Sequence, residues 1–217
     1  MKVSNNPYKI VRDFENEVAQ YSGSKYAVAV DNCSNALFLC CKYLKVKKVI
    51  IPCKTYPSVP CAIINAGGKV RFKDESWKGY YRLEPYPIYD AAHYFQKNMY
   101  EECPYFLCGG DSDLYPHAFM CISFSETKPI SIGKGGMILT DDEESIEWFK
   151  AARYFGRHEK PLMDDNFDMI GWNMYMTPDD AARGILIFDA LMEESEIWGD
   201  TQDSSTYEDL SNQKIFK

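Results

Sequence analysis

Residues 122–136 read ISFSETKPISIGKGG, and this stretch says more about the fold than any other part of the sequence. It joins two apolar runs, Met120–Phe124 and Gly136–Thr140, which we predict to be strands. The turn between them carries Lys128 among hydroxyl groups and ahead of a run of glycines. A lysine in such a turn could form a Schiff base if desolvation or neighbouring cations lowered its pKa. The alternative is a surface lysine in a loop.

Helices and strands alternate on both sides of this stretch. Apolar residues at positions 10, 11, 14 and 18 share one helical face of residues 9–21. Acidic residues begin a helix predicted over Asp142–Phe155, where the helix dipole favours negative charge. Such alternation favours an α/β protein with a mostly parallel sheet. Further strands are predicted at 26–30, 48–51, 69–72 and 87–89, further helices at 34–44, 59–66 and 177–191, and loops over most of 73–86 and 94–118.

Two segments place polar residues where such folds hold ligands. VDNCSNAL runs from a strand into a helix, so that exposed amides, Ser34 and Asn35 could bind a phosphate. The alternative for this segment is a simple helix cap. PIYDAAH places Asp90 at the carboxyl end of a short strand, where catalytic groups of open α/β sheets gather. The alternative for Asp90 is that it caps the next helix.

The composition favours a folded protein without nucleic-acid or membrane partners. The 217 residues are 46% hydrophobic and 26% charged, and they carry a formal net charge of −8, which argues against binding a nucleic-acid backbone. The longest uncharged runs are too short to span a bilayer. Met1–Ile10 lacks the apolar core of a secretory signal, so we expect a cytoplasmic protein.

Charge is concentrated near the end of the sequence. Residues 189–217 hold eight acidic and two basic side chains, and so account for six of the eight net negative charges. This polar stretch contains few core-forming residues. We therefore predict a folded region over 1–190, followed by an acidic tail over 191–217 that is helical or disordered.

The eight cysteines lie mostly in apolar runs such as LFLCCKYL. This placement favours reduced thiols that pack as small hydrophobic groups. Cys103, Cys108 and His117 could imitate a zinc site, but the second pair of ligands is missing. We therefore expect no metal.

Taken in order, these segments resemble the DegT/DnrJ/EryC1/StrS family of pyridoxal 5'-phosphate (PLP) sugar aminotransferases. SFSETKPISIGKGG keeps the spacing of the family's S-F-x-x-x-K and G-E-G-G patterns, and D-A-A-H is intact. FENEVAQYSGSKYAVAV, NCSNAL, KVIIPCKTY and GWNMYMTPDDAARG match four more family patterns. The resemblance covers roughly 9–72, 87–93 and 119–190. It implies the large domain of the aspartate aminotransferase-like fold (fold type I), with a mostly parallel central sheet flanked by helices.

The resemblance also implies a role for each matched polar residue. Lys128 resembles the lysine that holds PLP, and Asp90 resembles the carboxylate that pairs with the pyridinium nitrogen. His93 matches a catalytic polar residue that approaches the ring, and Tyr56 matches the aromatic that stacks on it. Asn173 resembles a residue that reaches the phosphate of the neighbouring subunit. The predicted phosphate cradle consists of Ser34, Asn35 and Ser123.

The implied activity is a ping-pong, Schiff-base aminotransferase reaction in a homodimer with shared active sites. An amino donor, glutamate in most of the family, gives its amine to the cofactor, and a nucleotide-linked keto-sugar then accepts that amine. Lys128 would move the proton between the reacting carbons. The alternative is a non-catalytic family member that binds PLP or a partner subunit without turnover.

The sequence departs from the family pattern at several places. Lys134 replaces the acid of G-E-G-G, Cys33 replaces the glycine of the phosphate turn, and Tyr89 replaces the acid before the ring-pairing aspartate. Lys134 could therefore compete with Lys128 for the Schiff base. Residues 73–86 are too few for a family strand and helix, and we expect the small C-terminal domain to be largely absent. The missing small domain, Lys134 and the acidic tail favour the non-catalytic alternative. An active aminotransferase is favoured by the joint retention of five site residues, Tyr56, Asp90, Ser123, Lys128 and Asn173.

Overall fold

The structure is a computed structural model that describes residues 6, 8–103, 116–193 and 202–216. The helices are α1 (Lys9–Ser22), α2 (Cys33–Tyr43), α3 (Ser58–Asn65), α4 (Glu143–Ala152) and α5 (Pro178–Glu193). The strands are β1 (Tyr26–Val30), β2 (Lys48–Pro52), β3 (Lys69–Lys73), β4 (Tyr81–Arg82), β5 (Ile88–Asp90), β6 (Phe119–Ser123) and β7 (Gly136–Thr140). Short 3-10 helices lie at Leu162–Asp164, Ser204–Thr206, Leu210–Asn212 and Lys214–Phe216.

The strands form a mixed sheet flanked by helices, which confirms the predicted α/β class. The five-stranded sheet has the order β1-β7-β6-β5-β4, and β2 and β3 form a separate parallel pair. A bridge between Ile50 and Glu84 connects the pair to the chain just after β4. β1, β5 and β6 run in one direction, but β7 and β4 run against them, so three of the four pairings in the larger sheet are antiparallel. The prediction of a mostly parallel sheet is therefore wrong, and the sheet is mixed.

The direction of β7 follows from the conformation of its connection to β6. Parallel neighbours need a crossover of a dozen or more residues, usually a helix. Residues 124–135 form a folded turn without a helix, and β7 therefore returns beside β6 with Ser123 opposite Gly136. The backbone N–H groups of Phe124 and Ile132 close this turn with bonds of 3.0 Å to the carbonyls of Gly135 and Phe124.

The sheet is covered on both faces. In β6, Phe119 and Cys121 face the core formed with α2, α3 and α4, whereas Met120 and Ile122 face the core formed with α1 and α5. Alternate residues of a strand point to opposite faces, and a sheet buried on both faces therefore needs continuous apolar strands. This requirement explains why the strands of this sequence could be predicted as short apolar runs.

A buried ion pair ties two helices to the sheet. Glu15 of α1 accepts a hydrogen bond of 2.8 Å from the backbone N–H of Ala29 in β1. Arg153, directly after α4, donates to both the Glu15 carboxylate and the Ala29 carbonyl. The helix predicted to reach Phe155 ends at Ala152, because Phe155 and Gly156 take left-handed φ angles of 59° and 77°.

Ordered elements lie within two of the stretches predicted as loop and acidic tail. β4 lies inside 73–86, where it pairs with β5. The segment 202–216 packs on the chain: the N–H of Leu210 bonds to the Cys53 carbonyl at 2.9 Å, and the N–H of Ser204 bonds to the Trp77 carbonyl at 3.0 Å. Ser204 and Leu210 are buried, so this part of the predicted acidic tail is not fully solvated. The predicted boundary after residue 190 lies within α5.

Of the seven described cysteines, Cys61 is exposed and the other six are buried. Cys108 lies outside the described residues, so its place in the considered zinc site is not tested. In the described part of the chain, no cluster of three or more His, Cys, Asp or Glu side chains could hold a metal ion. None of the described helices is both long enough and apolar enough to cross a membrane.

Candidate active site

A cavity of about 440 Å³ lies at the carboxyl ends of β5 and β6 and at the start of α2. Its volume is in the usual range for a small-molecule site. Two predicted site residues, Asn35 and Asn173, do not line it. The six that do are called the motif set below, and they are Ser34, Tyr56, Asp90, His93, Ser123 and Lys128.

Asp90 is the buried acid of this cavity. It ends β5, and the residue is 7% exposed. Its Oδ2 accepts a hydrogen bond of 2.7 Å from the Tyr81 hydroxyl, and its Oδ1 accepts one of 3.1 Å from the backbone N–H of Ala92. Burial raises the pKa of Asp90, whereas these two donors and the nearby Lys128 and His93 act in the opposite direction. A cationic ligand at Asp90 would therefore relieve an unfavourable buried charge.

Lys128 reaches the cavity from the turn between β6 and β7. Its backbone N–H closes a tight turn onto the Ser125 carbonyl at 3.0 Å, and its Nζ contacts Nε2 of His93. Arg183 of α5 fixes the same turn through a hydrogen bond of 2.7 Å to the Ile132 carbonyl. The structure therefore brings the amine, the imidazole and the buried carboxylate of the motif set into one cavity.

Hydroxyl groups and a helix start form another part of the cavity. Ser34 lies in the first turn of α2, and Ser123 ends β6 with its hydroxyl 3.3 Å from that of Ser125. β7 approaches this region so closely that a Cβ on Gly136 would lie 2.5 Å from the backbone nitrogen of Cys33. Only glycine allows this approach, which places the start of α2 against the sheet.

Asn35 is directed away from the predicted phosphate cradle. Its backbone N–H donates to Oδ1 of the helix cap Asn32 at 2.8 Å, and its side-chain amide donates to Asp31 at 2.7 Å. Asn173 is exposed and forms a bridge with Tyr154. Its predicted reach to a neighbouring subunit stays a prediction.

Two of the departures from the family pattern leave the cavity intact. Lys134 does not line it; its side chain is 66% exposed and its Nζ lies 3.4 Å from Oδ2 of Asp31. Cys33 begins α2 and does not have a positive φ angle. Burial raises the pKa of the Cys33 thiol, which keeps it neutral beside Asp90.

Of the aromatic residues of the cavity, the sequence patterns assigned a site role to Tyr56 and not to the other three. Trp77, Tyr81 and Tyr207, called the aromatic cluster below, line it together with Gln202. The ring centroid of Trp77 lies 4.9 Å from that of Tyr81 and 5.6 Å from that of Tyr207. No motif marks these residues, and Tyr207 lies in the stretch predicted to be a tail. Thr55, which also lines the cavity, stands inside the KVIIPCKTY pattern and could have been found there.

The sequence of this chain matches a known protein family. The model of the DegT/DnrJ/EryC1/StrS aminotransferase family matches residues 2–91 and 116–196. The chain belongs to this family. Its members are PLP-dependent enzymes.

Two curated relatives are similar over much of the chain. One is the UDP-4-amino-4,6-dideoxy-N-acetyl-beta-L-altrosamine transaminase of Campylobacter jejuni, which is 25% identical over 82% of this chain and 56% of its own length. The other is the spore coat polysaccharide biosynthesis protein SpsC of Bacillus subtilis, which is 27% identical over 67% of this chain and 46% of its own length. This chain thus spans about half the length of the curated relatives it matches.

Solved structures share the fold. The sugar aminotransferase CalS13 from Micromonospora echinospora superposes with a TM-score of 0.66 at 14% identity, over 85% of this chain and 61% of its own. The 3-amino-5-hydroxybenzoic acid synthase gives a TM-score of 0.66 at 20% identity, over 85% and 56% of the two chains. The predicted fold, the large domain of fold type I, is therefore confirmed.

The residues of the cavity fit PLP. A buried carboxylate suits a pyridinium nitrogen, a lysine amine suits the aldehyde, and hydroxyls at a helix start suit a phosphate. The close approach of β7 at Gly136 leaves the start of α2 facing the cavity. Ser34, Asp90 and Lys128 supply one group of each kind.

Proposed function

We propose that this chain binds PLP through Lys128 and catalyses ping-pong transfer of an amino group from glutamate to a nucleotide-linked keto-sugar. The observation that carries the proposal is the meeting of Asp90, His93 and Lys128 in one cavity. The family and the sugar-related names of the curated relatives support the class of substrate. When bound, PLP supplies the electron sink that stabilises the electrons left when a substrate C–H bond loses its proton.

Asp90 is proposed to bind the ring nitrogen and keep it protonated. A charge pair is stronger in a buried site than in water, because fewer solvent dipoles screen it. Asp90 is buried and held by Tyr81 and Ala92, so its carboxylate has little freedom to turn away. Ser34 and Ser123 are proposed to bind the phosphate, and Asn35 is proposed to support the helix start. Tyr56, a residue that is 62% exposed, is proposed to cover the ring.

Lys128 is proposed to hold the cofactor and then to move a proton at the substrate carbon. Its Nζ contacts His93, which can orient the amine toward the cavity. A general base must lie within hydrogen-bonding reach of the proton that it takes. The turn that carries Lys128 is fixed at both ends by the β6–β7 pairing, which limits the positions that this amine can take.

The first test is an absorbance spectrum of the purified chain with added PLP, followed by borohydride reduction and peptide mapping. We expect a band near the visible edge, a reduced adduct on Lys128, and bleaching of the band by glutamate. Lys128→Ala removes the band, and the matched control Lys134→Ala retains it.

Three outcomes would contradict parts of this proposal. An adduct on Lys134, or a band that persists in Lys128→Ala, would refute the assignment of the lysine. A band that no amino donor bleaches would favour the non-catalytic alternative. Failure to bind PLP at all would refute the proposed function.

The proposed enzyme is a homodimer whose active sites are shared. Asn173 lies beside a segment with several exposed apolar side chains, which a partner subunit would cover. These side chains are Phe155, Leu162, Met163, Phe167 and Ile170.

Subunit mixing tests the shared site. If Asn173 acts on the neighbouring subunit, a heterodimer of Lys128→Ala with Asn173→Ala contains one intact site, and mixing the two inactive variants restores activity. Mixing two preparations of Lys128→Ala is the control. Absence of any restoration in mixed dimers, verified by differential tagging, would refute the role of Asn173.

We further propose a cytoplasmic location and a PLP-binding unit formed by residues 1–190, onto which 202–216 packs. The sulfur atoms of Cys40 and Cys121 lie 3.7 Å apart in the core as free thiols, which suits a reducing compartment. Thiol counting in rapidly quenched cell extracts would test the location. A Cys40–Cys121 disulfide found in the native protein would contradict it.

A further inference from the structure

Tyr81 is a buried hydroxyl donor that no family pattern assigns. It begins β4 and stands directly opposite Asp90 in the antiparallel pairing of β4 with β5. Side chains of such opposed residues lie on the same face of the sheet and are close enough to interact. The Tyr81 hydroxyl is 2.7 Å from Oδ2 of Asp90, and Tyr81 as a whole is 8% exposed.

The direction of the hydrogen bonds around Tyr81 follows from the groups present. An ionised carboxylate only accepts, so the single hydroxyl proton of Tyr81 goes to Asp90. The hydroxyls of Thr55 and Tyr81 are also in contact. Since the Tyr81 proton is already used, Thr55 must donate to the Tyr81 oxygen. The result is a buried relay from Thr55 through Tyr81 to Asp90.

The electrostatics agree with this direction. Burial and the neighbouring carboxylate raise the pKa of Tyr81 well above its ordinary value, which keeps its proton in place as a donor. The same hydrogen bond opposes the increase that burial causes in the pKa of Asp90. A hydrogen bond to a charged group is stronger than one between two neutral groups, so the bond from Tyr81 favours the ionised form of Asp90.

The position of Tyr81 is itself fixed by the aromatic cluster. Trp77 packs on the Tyr81 ring, and the indole N–H of Trp77 donates to the Lys54 carbonyl at 2.8 Å. Further contacts of Trp77 come from the segment 202–216, through the Ser204 N–H, which bonds to the Trp77 carbonyl, and the Tyr207 ring. The orientation of Asp90 therefore depends on residues from three separate parts of the chain.

We propose that Tyr81 is a positioning residue that holds the Asp90 carboxylate toward the ring nitrogen of PLP. The proposal rests on the proposed function, since Asp90 is placed at that nitrogen only if PLP binds at Lys128. Tyr81 acts through Asp90 and is not itself a catalytic residue.

The test compares Tyr81→Phe with Tyr80→Phe, the same chemical change one position earlier. Tyr80 does not line the cavity, and its ring packs against Tyr94 and Tyr89. PLP affinity is measured by spectral titration at several pH values. We expect Tyr81→Phe to weaken PLP binding about tenfold near neutral pH and by more at lower pH, where Asp90 is more readily protonated. Tyr80→Phe binds PLP as the wild-type chain does.

The results that overturn the inference differ from those that overturn the function. If the wild-type chain forms no lysine-bound band with PLP, the proposed function fails and the inference fails with it. If the wild-type chain forms the band but Tyr81→Phe keeps wild-type affinity at every pH, only the inference is refuted. An equal loss in Tyr80→Phe would also refute it, because the effect would then be a general consequence of aromatic packing.

A second pair of variants tests the relay if Tyr81→Phe does not fold. Thr55→Val removes the donor to Tyr81 and keeps the shape of the side chain, whereas Thr55→Ser keeps the hydroxyl. We expect a threefold to tenfold weaker PLP affinity in Thr55→Val than in Thr55→Ser, a range that follows from the loss of one neutral hydrogen bond. Equal affinities in the two variants would contradict the relay.

Discussion

The motif set and the aromatic cluster line the same cavity but arise in different ways. Asp90 and Ser123 end strands, and Ser34 lies in the first turn of a helix, so a linear pattern brings each of them to the ligand. Trp77, Tyr81 and Tyr207 meet only because β4 and the segment 202–216 pack beside the β2–α3 connection. Groups that carry chemistry thus lie at element ends, whereas the groups that position them depend on tertiary packing.

The largest effect expected within the motif set is that of Asp90→Asn. Breaking a buried charge pair by removing one partner costs about 3–5 kcal/mol. PLP affinity should therefore fall by about 10²–10⁴-fold in a spectral titration. Asp13→Asn, which removes a surface partner of Lys9, is the matched control and should leave the affinity unchanged. A loss of less than threefold in Asp90→Asn would show that Asp90 does not pair with the ring.

Gly136→Ala tests whether the motif set depends on the backbone approach at the start of α2. The new Cβ would lie 2.5 Å from the Cys33 nitrogen and 2.6 Å from the Asn32 carbonyl carbon, so the chain must shift. We expect unfolding stability to fall by about 1–3 kcal/mol in denaturant titration, together with weaker PLP binding. Gly67→Ala is the control, because its Cβ would lie in open space. It should lower the unfolding stability through its φ of 96° and leave PLP affinity unchanged. If folded Gly136→Ala keeps the wild-type PLP affinity, PLP binding does not depend on the close approach of β7 to the start of α2.

Much of this arrangement could be predicted from sequence, for physical reasons that particular residues illustrate. The buried runs YAVAV and GMILT gave strands with the observed bounds, because strands covered on both faces must be apolar throughout. The direction of β7 could not be predicted from its own residues, because it depends on how 124–135 folds. β4 has only two residues, too few for a recognisable alternation.

The same contrast holds in the candidate site. Six of the eight predicted residues line the cavity, but Asn35 does not, since Asn32 and Asp31 take its donors. Local spacing cannot foresee which of two adjacent polar side chains becomes part of a helix cap. It also cannot foresee Tyr207, whose place depends on contacts more than a hundred residues away along the chain, such as that with Trp77.

The pH dependence of stability should separate the charge of Asp90 from its packing. Burial raises the pKa of Asp90, so the folded chain without cofactor binds a proton in a range where the unfolded chain does not. Its stability therefore falls as pH rises above the ordinary carboxyl range, by up to about 1.4 kcal/mol per pH unit from this group. Asp90→Asn should reduce this slope in denaturant titrations between about pH 4 and pH 7. If the slope of stability against pH is unchanged in Asp90→Asn, the increase in the pKa of Asp90 on folding is contradicted.

Replacing Tyr207 tests how far the aromatic cluster supports the motif set. Tyr207→Ala removes the ring that packs on Trp77, and an aromatic pair contributes about 0.5–1.5 kcal/mol beyond its buried area. We expect PLP affinity to fall about threefold to tenfold, because Trp77 and Tyr81 lose support. Tyr207→Phe keeps the ring and removes only the hydroxyl, which lies 3.4 Å from Gln202, so it should behave as wild type. Equal losses in the two variants would show that the hydroxyl acts, not the ring.

The smallest effect is expected at Lys134, where the motif departs from the family. Its amine is exposed and pairs with Asp31 across 3.4 Å, and exposed ion pairs contribute about 0–1 kcal/mol. Lys134→Glu restores the acid of the family pattern and places it beside Asp31, so the only expected cost is a screened repulsion between two carboxylates. PLP affinity should change less than twofold at about 0.15 M salt, and any change should shrink as salt is raised. A tenfold change that persists at high salt would mean that Lys134 acts inside the cavity. The residue at position 134 would then belong with the residues that face the ligand.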